Sequence, residues 1–525
     1  MVRSALALLL LGSVAAACAL QSSSAGDDKK TEKKRKPRFT IGKDTTVVSG
    51  PVDAHGHIDY MTALNHRLRK DLTPDQNANV LLWKAFGPHP EGAKMPPEFF
   101  KWMGIPAPPE KGEYFQHIKP GPDEAADQLL EEQDEARQRP WKSAQLPRVA
   151  AWLKTNEVPL RLVLEATKRT GYYSPMASGD PNGGPGRMIA CLLPGIQKSR
   201  EFARALTARA MLAIGEKRYD DAWQDLLACH RLGRLISRGS TLIELLVGIA
   251  IDTIASHADL AYLDNPKLNA KQIKACLAEL QALPPMAPVA DKIDLGERYM
   301  MLDIVMAIDR NGVEYLQSIS DSIRFAPPEE LAKPFLHDID WDPAMRGANR
   351  WYDRLAAAMR AKDRATRNKP LDEIDGELQQ LKADLADGDL IKAALAPGKT
   401  AQDRGKLAGD ILAVLLLPAV RKVQTAADRS EQTQQNLHLA FSLAAYQRDK
   451  GEYPAKLDTL APAYLAKIPS DIFSGKALIY RPDKKGYLLY SVGMNGLDDG
   501  GRSYDDDPPG DDLVIRMPQP ARRNP

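Results

Sequence analysis

Gln434-Gln435-Asn436-Leu437-His438-Leu439-Ala440-Phe441-Ser442-Leu443-Ala444-Ala445-Tyr446-Gln447-Arg448-Asp449-Lys450-Gly451 is the stretch whose reading decides the fold. Leu437, Ala440, Phe441 and Ala444 recur at i, i+3, i+4 and i+7, which predicts a helix with one apolar face starting near Thr425. Gly451 ends it, because glycine takes the left-handed C-terminal conformation at little cost. Downstream the period changes. Residues 477–480 and 487–492 are predicted as short strands around the turn 481–486, and a last strand is predicted at 513–516. Between the last two lie a Gly/Asp loop, 493–501, and a second acidic run, 505–512. The expectation for 425–517 is therefore a helix followed by a small sheet.

Further out, the chain has 525 residues, enough for two or three domains at roughly 150 residues each. Its formal charge of +2 gives no field that would attract nucleic acid, and 43% hydrophobic with 27% charged residues is ordinary for a folded protein. At the N-terminus Arg3, the apolar run 5–11 and Ala15-Ala16-Ala17 have the pattern of an export signal, expected over 1–17. Cys18 follows directly, as in a lipoprotein box, so Cys18 is the expected lipidation site. Residues 18–40 are polar, carry a basic cluster and cannot bury enough surface to order themselves. A flexible tether is expected there. Cys191, Cys229 and Cys276 are widely spaced and odd in number, which suits buried thiols rather than a disulfide framework or a zinc site.

The body divides into a mixed, mostly helical region at 41–195 and a helical domain at 196–404. The α+β domain is expected at 405–517. A strand is predicted at 45–48, and a helix at 73–86 opened by Thr73-Pro74. Further helices are predicted at 343–362 (with Asp342 as N-cap) and at 399–429. The pair 203–214 and 219–236, with Gly215 at the turn, resembles a tetratricopeptide repeat unit, although no second copy is seen at its period. The apolar run 411–420 is too short to span a bilayer, so it is expected in the core.

Three motifs carry a further resemblance: Tyr-Gln-Arg-Asp-Lys-Gly-Glu-Tyr-Pro at 446–454, Ile-Pro-Ser-Asp-Ile-Phe-Ser-Gly at 468–475, and Tyr-Ser-Val-Gly at 490–493 before the acidic loop. Together they resemble the globular heads of type II secretion pseudopilins and related pilins, over less than a fifth of the chain. More broadly the chain resembles uncharacterised exported proteins of planctomycete-type bacteria. The expected fold is thus mainly α, with helical hairpins, solenoid-like in one version, and a C-terminal α+β pseudopilin-like head.

Hard cations such as Ca2+ take six to eight oxygens from carboxylates and carbonyls in tight turns. Gly496, Gly500 and Gly501 allow such turns, and Asn495, Asp498, Asp499, Asp511 and Asp512 supply oxygens. In the pseudopilins the matching loop binds calcium, so the resemblance implies Ca2+ here; Asn495 stands where that family usually has Asp, and 504–509 looks inserted. The other reading is an acidic loop without an ion. His55-Gly56-His57 after Asp53 looks like the His-x-His metal pair of amidohydrolases, but no further ligands follow on a βα alternation. Gly239-Ser240-Thr241-Leu242-Ile243-Glu244 is close to a prepilin processing motif, yet lies mid-chain in what reads as a buried helix. Cys229-His230 project apart on a helix and form no nucleophile–base pair.

The expected function is accordingly an exported, envelope-associated, non-enzymatic binding or assembly protein. Its partner would be a protein at the cell envelope, with a lipid anchor as the membrane contact; no small-molecule substrate or nucleic acid is implied. The alternative is a metal-dependent hydrolase using His55 and His57.

Overall fold

The computed structural model describes residues 37–520 except 91, 93–94, 119–123, 179–185, 190, 192, 194, 320–328, 387–388 and 418–419. The expected signal segment, Cys18 and most of the expected tether lie outside the described residues.

The protein is mainly helical, with one small antiparallel sheet near the C-terminus. The helices that position its features are α1 (Tyr60–Arg69), α2 (Ala78–Phe86), α3 (Glu157–Ala166), α4 (Ser199–Gly215), α5 (Tyr219–Ser237) and α6 (Leu242–Leu263). They continue with α7 (Ala270–Gln281), α8 (Arg298–Ser318), α9 (Trp341–Met359), α10 (Arg364–Ala386), α11 (Ala401–Leu416) and α12 (Val420–Lys450). β1 (Ile479–Pro482), β2 (Tyr487–Ser491) and β3 (Leu513–Met517) follow in the order β1-β2-β3. Tyr490 pairs with Ile479 on one side and Val514 on the other.

Two large cores and a small third one around Trp83, Phe99 and Phe100 are built from these parts. The first gathers α2 to α5, most of α6, α7, the C-terminal half of α12 and the inner face of the sheet. Trp223 of α5 lies 5.7 Å from both Tyr262 of α6 and Phe441 of α12, so one indole fastens three helices. The second core takes α1, the start of α6, α8 to α11, and Val420 and Val423 of α12. α6 serves both cores, which is why it is apolar nearly all round, the mark of a helix buried on every side. Its N-terminus is closed by a capping box in which Thr241 and Glu244 satisfy each other's backbone amides. The motif at 239–244 is therefore a buried helix start. Among the described residues no helix is long and apolar enough to cross a membrane.

α12, about 46 Å long at 1.5 Å per residue, touches both cores and carries the sheet. Asn436 Nδ2 donates to Leu513 O at 3.0 Å, and Gln432 Oε1 accepts from Ile472 N at 2.7 Å. These side-chain bonds fix β3 and the segment leading to β1 on the helix.

Several local expectations need correction. Residues 45–48 form a turn rather than a strand; Thr46 Oγ1 donates to Val48 O, an alternative to strand pairing, and Val47 sits at φ 63°. Thr73-Pro74 begins a turn, and α2 starts later with Asn77 as its cap. α9 is capped by Asp340, which accepts from Asp342 N, so Asp342 lies in the first turn instead of capping it. The single helix expected at 399–429 is two: α11 stops at Leu416 and α12 begins at Val420. Cys191, Cys229 and Cys276 are free thiols, the last two buried and Cys191 partly so.

Candidate metal centre

The acidic loop is the connection between β2 and β3, whose ends are held together by the Ser491–Leu513 pairing. Asp471 braces its base. Its Oδ1 accepts from Phe473 N and Ser491 Oγ, and its Oδ2 from Val492 N and Ser474 Oγ, all between 2.8 and 3.1 Å. At 2% exposure, four donors are what make a buried carboxylate tolerable. Gly493 then turns the chain at φ 69°, and a Cβ there would lie 2.2 Å from Asp511 O; no other residue fits this crossing.

Beyond this crossing the loop folds on its own carboxylates. Asp499 Oδ2 accepts from Asp511 N at 3.0 Å, Asp511 Oδ2 from Asn495 N at 3.0 Å, and Asp512 Oδ2 from Gly501 N at 2.7 Å. One carboxylate oxygen from each of Asp499, Asp511 and Asp512 falls within 4.8 Å of the others. Asp511 is 6% exposed and Asp512 2%, yet the Oδ1 atom of each is buried without a hydrogen-bond partner. Unpaired buried carboxylate oxygens are costly, and three like charges this close raise the cost. Burial pushes the Asp512 carboxyl above its usual range, whereas the Asp511 amide on Asp499 holds that carboxyl below its own.

Of the five residues expected as ligands, the structure thus brings together Asp499, Asp511 and Asp512. Asp498 Oδ1 accepts from Tyr490 Oη at 2.9 Å and from Gly500 N at 2.8 Å. Asn495 Oδ1 accepts from Leu497 N, and its Nδ2 reaches Asp499 Oδ2 at 3.4 Å. Both shape the turn around the three carboxylates. The donor set is all oxygen, and two of its three carboxylates each carry a buried oxygen without a partner, a pattern a hard divalent cation fits.

The His-x-His pair is arranged differently. His57 is 1% exposed, and its Nε2 lies 3.2 Å from Asp309 Oδ2, while Asp309 Oδ1 pairs with Arg38 Nε at 2.7 Å. Asp53 Oδ1 accepts from the amides of His55 and His57. This is a staple between an N-terminal turn and α8. Among the described residues the three aspartates are the one group of His, Cys, Asp and Glu close enough to share an ion.

In comparisons with family models, curated proteins and solved structures, nothing matches this chain. The functional reading therefore rests on the sequence motifs and on the geometry of the acidic loop.

One constellation went unread in the sequence. His230, fully buried on α5, places Nδ1 2.6 Å from Asp252 Oδ1 and Nε2 2.8 Å from Asp259 Oδ2, both on α6. Arg234 also bonds Asp252 Oδ1, and Gln434 of α12 donates to Asp252 Oδ2 at 2.7 Å. His438 of α12 lies nearby with Nε2 buried and unpartnered. Burial would lower the His230 pKa, but Asp259 and Asp252 reverse this and raise it to about 9. Burial, His230 and Arg234 lower His438 to about 4. The seven-residue spacing of Asp252 and Asp259 on an otherwise apolar helix was the available signal, since it puts both on one face. The cluster is a sealed ion network that ties α5, α6 and α12.

On the surface, a groove of about 570 Å3 between α3, α4 and α5 has Leu153 and Leu212 beside Arg161, Arg209 and Asp225. Arg209 and Asp225 bond one another at 2.6 and 2.8 Å.

Proposed function

We propose that this protein is a non-enzymatic, calcium-binding component of the cell envelope, exported and held there by lipid on Cys18. Its helical body is the partner-binding surface, with the groove between α3, α4 and α5 as the candidate recess. Its C-terminal module is pseudopilin-like and is ordered by one Ca2+. The observation that carries the reading is the pair of buried, partnerless oxygens, Asp511 Oδ1 and Asp512 Oδ1, beside Asp499. Asp499, Asp511 and Asp512 would hold the ion, which supplies charge neutralisation and cross-linking of the β2–β3 connection rather than catalysis. No observation favours the hydrolase.

The test is calorimetric titration of the full chain with Ca2+, and with Mg2+ as control, followed by thermal unfolding. Ca2+ at about a hundredfold excess over Kd adds about 2.7 kcal/mol to the stability of the folded state. Mg2+ is expected to act weakly because it sheds water reluctantly. Asp499→Asn with Asp512→Asn abolishes the Ca2+ effect. An identical melting temperature in Ca2+ and in chelator would overturn the proposal, and a mass spectrum showing an unmodified Cys18 in membrane-extracted protein would remove the anchor.

A further inference from the structure

Two side-chain amides of α12, Gln432 and Asn436, are buried one helical turn apart, at 0% and 2% exposure. A buried amide is costly unless both of its ends are bonded, and here they are. Gln432 Nε2 donates to Asn436 Oδ1 at 2.8 Å. The other end of each amide meets backbone next to the sheet: Gln432 Oε1 accepts from Ile472 N, and Asn436 Nδ2 donates to Leu513 O. The relay has one sense only. Reversing Gln432 would set donor against donor at Ile472 N, and reversing Asn436 would set oxygen against oxygen at Leu513 O.

Both contacts fall at the ends of the acidic loop. Leu513 directly follows Asp512, where the loop closes. Ile472 directly follows Asp471, whose carboxylate holds Ser491 Oγ and Val492 N where the loop opens. Gly493 comes next, and a Cβ on it would lie 2.2 Å from Asp511 O and 2.8 Å from Asp511 Oδ1. The path is therefore closed: from α12 through Ile472 and Asp471 to Val492, across Gly493 to Asp511 and Asp512, and through Leu513 back to α12. The two carboxylates with partnerless oxygens lie on this ring.

Resting on the calcium reading above, we propose that Gln432, Asn436 and Asp471 are positioning residues for the ion, and that Ca2+ in turn locks the middle of α12 onto the sheet. Metal affinity depends on the groups that orient the ligands as well as on the ligands themselves. Here α12 sets the separation of the loop's two ends, so Asp511 and Asp512 come together with Asp499 when the helix is seated. Such coupling is reciprocal: whatever the seated helix adds to ion affinity, the bound ion returns to the seating of the helix. The half of α12 that follows this relay walls the first core, so the ion regulates how firmly that core is closed.

The experiment uses the full chain, with amide hydrogen exchange in Ca2+ and in chelator beside calorimetric Ca2+ titration. In the natural protein Ca2+ is expected to slow exchange at residues 432–445 and at Ile472 more than in α8 and α9 of the second core. Gln432→Met, similar in size but without either amide bond, is expected to weaken Ca2+ binding about tenfold or more and to abolish that preference. Asp471→Asn is expected to act in the same direction. Leu443→Ala is the control, fully buried in the same half of α12 but outside the ring. It should lower the melting temperature and leave the Ca2+ Kd of the folded protein within about twofold. A merely structural Gln432 would behave like Leu443, and an unchanged Kd in Gln432→Met overturns the inference while leaving the calcium reading intact. Exchange in α12 that is indifferent to Ca2+ in the natural chain also overturns it, whether or not the variants fold. Absence of any Ca2+ isotherm in the natural chain sinks both proposals.

Discussion

Raising the pH from neutrality to 9 should weaken this fold through one histidine. His230 has an ordinary pKa of 6.5 and is raised to about 9 by Asp259 and Asp252, against the opposing effect of burial. A group whose folded pKa lies above its unfolded value contributes fully below the unfolded value and loses that contribution as pH rises through the folded one. The window is therefore about 6.5 to 9, and the difference of about 2.5 units corresponds to a loss on the order of 3 kcal/mol. That is a large part of the 5–15 kcal/mol typical of a folded domain. Lys292, which burial lowers to about 8, works in the opposite sense above pH 8, so the decisive quantity is a difference between proteins. Urea unfolding across this range, for the natural chain and for His230→Gln, isolates the histidine. The variant should be weaker at pH 6.5 and should lack the alkaline decline. Equal slopes in both proteins would refute the assignment of the proton to His230 between its two aspartates.

His438 gives the complementary acid limb. Its pKa is lowered from 6.5 to about 4, so its contribution is present above 6.5 and lost as pH falls towards 4; His438→Leu should flatten that limb relative to the natural chain in the same urea assay. Gly405→Ala should cost about 1–3 kcal/mol, or prevent folding, because the new Cβ would stand 2.0 Å from Asp340 O at the crossing of α11 with the start of α9. Gly376→Ala on α10 meets nothing within 4 Å and serves as the control, neutral or stabilising by up to about 1 kcal/mol.

The sequence was most legible where one period dominated. The i, i+3, i+4, i+7 residues Leu437 to Ala444 are all buried in α12, as are Leu439, Ser442, Leu443 and Ala445 off that stripe, and the strand signals near 477, 487 and 513 became a three-stranded meander shifted by a residue or two. Local chemistry misled where two residues competed for one role. Asp342-Pro343 looks like a cap followed by proline, but Asp340 takes the cap because Trp341 must enter the second core, where it is 1% exposed. In the acidic loop the residue types were visible, but the division of labour was not. Which aspartates converge depends on the crossing at Gly493 and on the brace at Asp471, both set by tertiary contacts. The His230 network was hidden for a similar reason: its members come from α5, α6 and α12, some two hundred residues apart.

α12 has one more consequence, which concerns the order in which the chain is made. The first core is walled by helices complete by residue 281, yet its remaining walls are the half of α12 around Leu437 to Ala445 and the sheet that follows. Some hundred and fifty residues must be synthesised in between, and until they appear the apolar faces of α5, α6 and α7 have no cover. Domains usually fold as units as they emerge, N-terminal first. This chain is built to wait, holding a half-closed body open for a keystone that arrives near the end. Nascent chains arrested before residue 420 should accordingly be cut by protease within α5 to α7, and chains extended past 450 should resist.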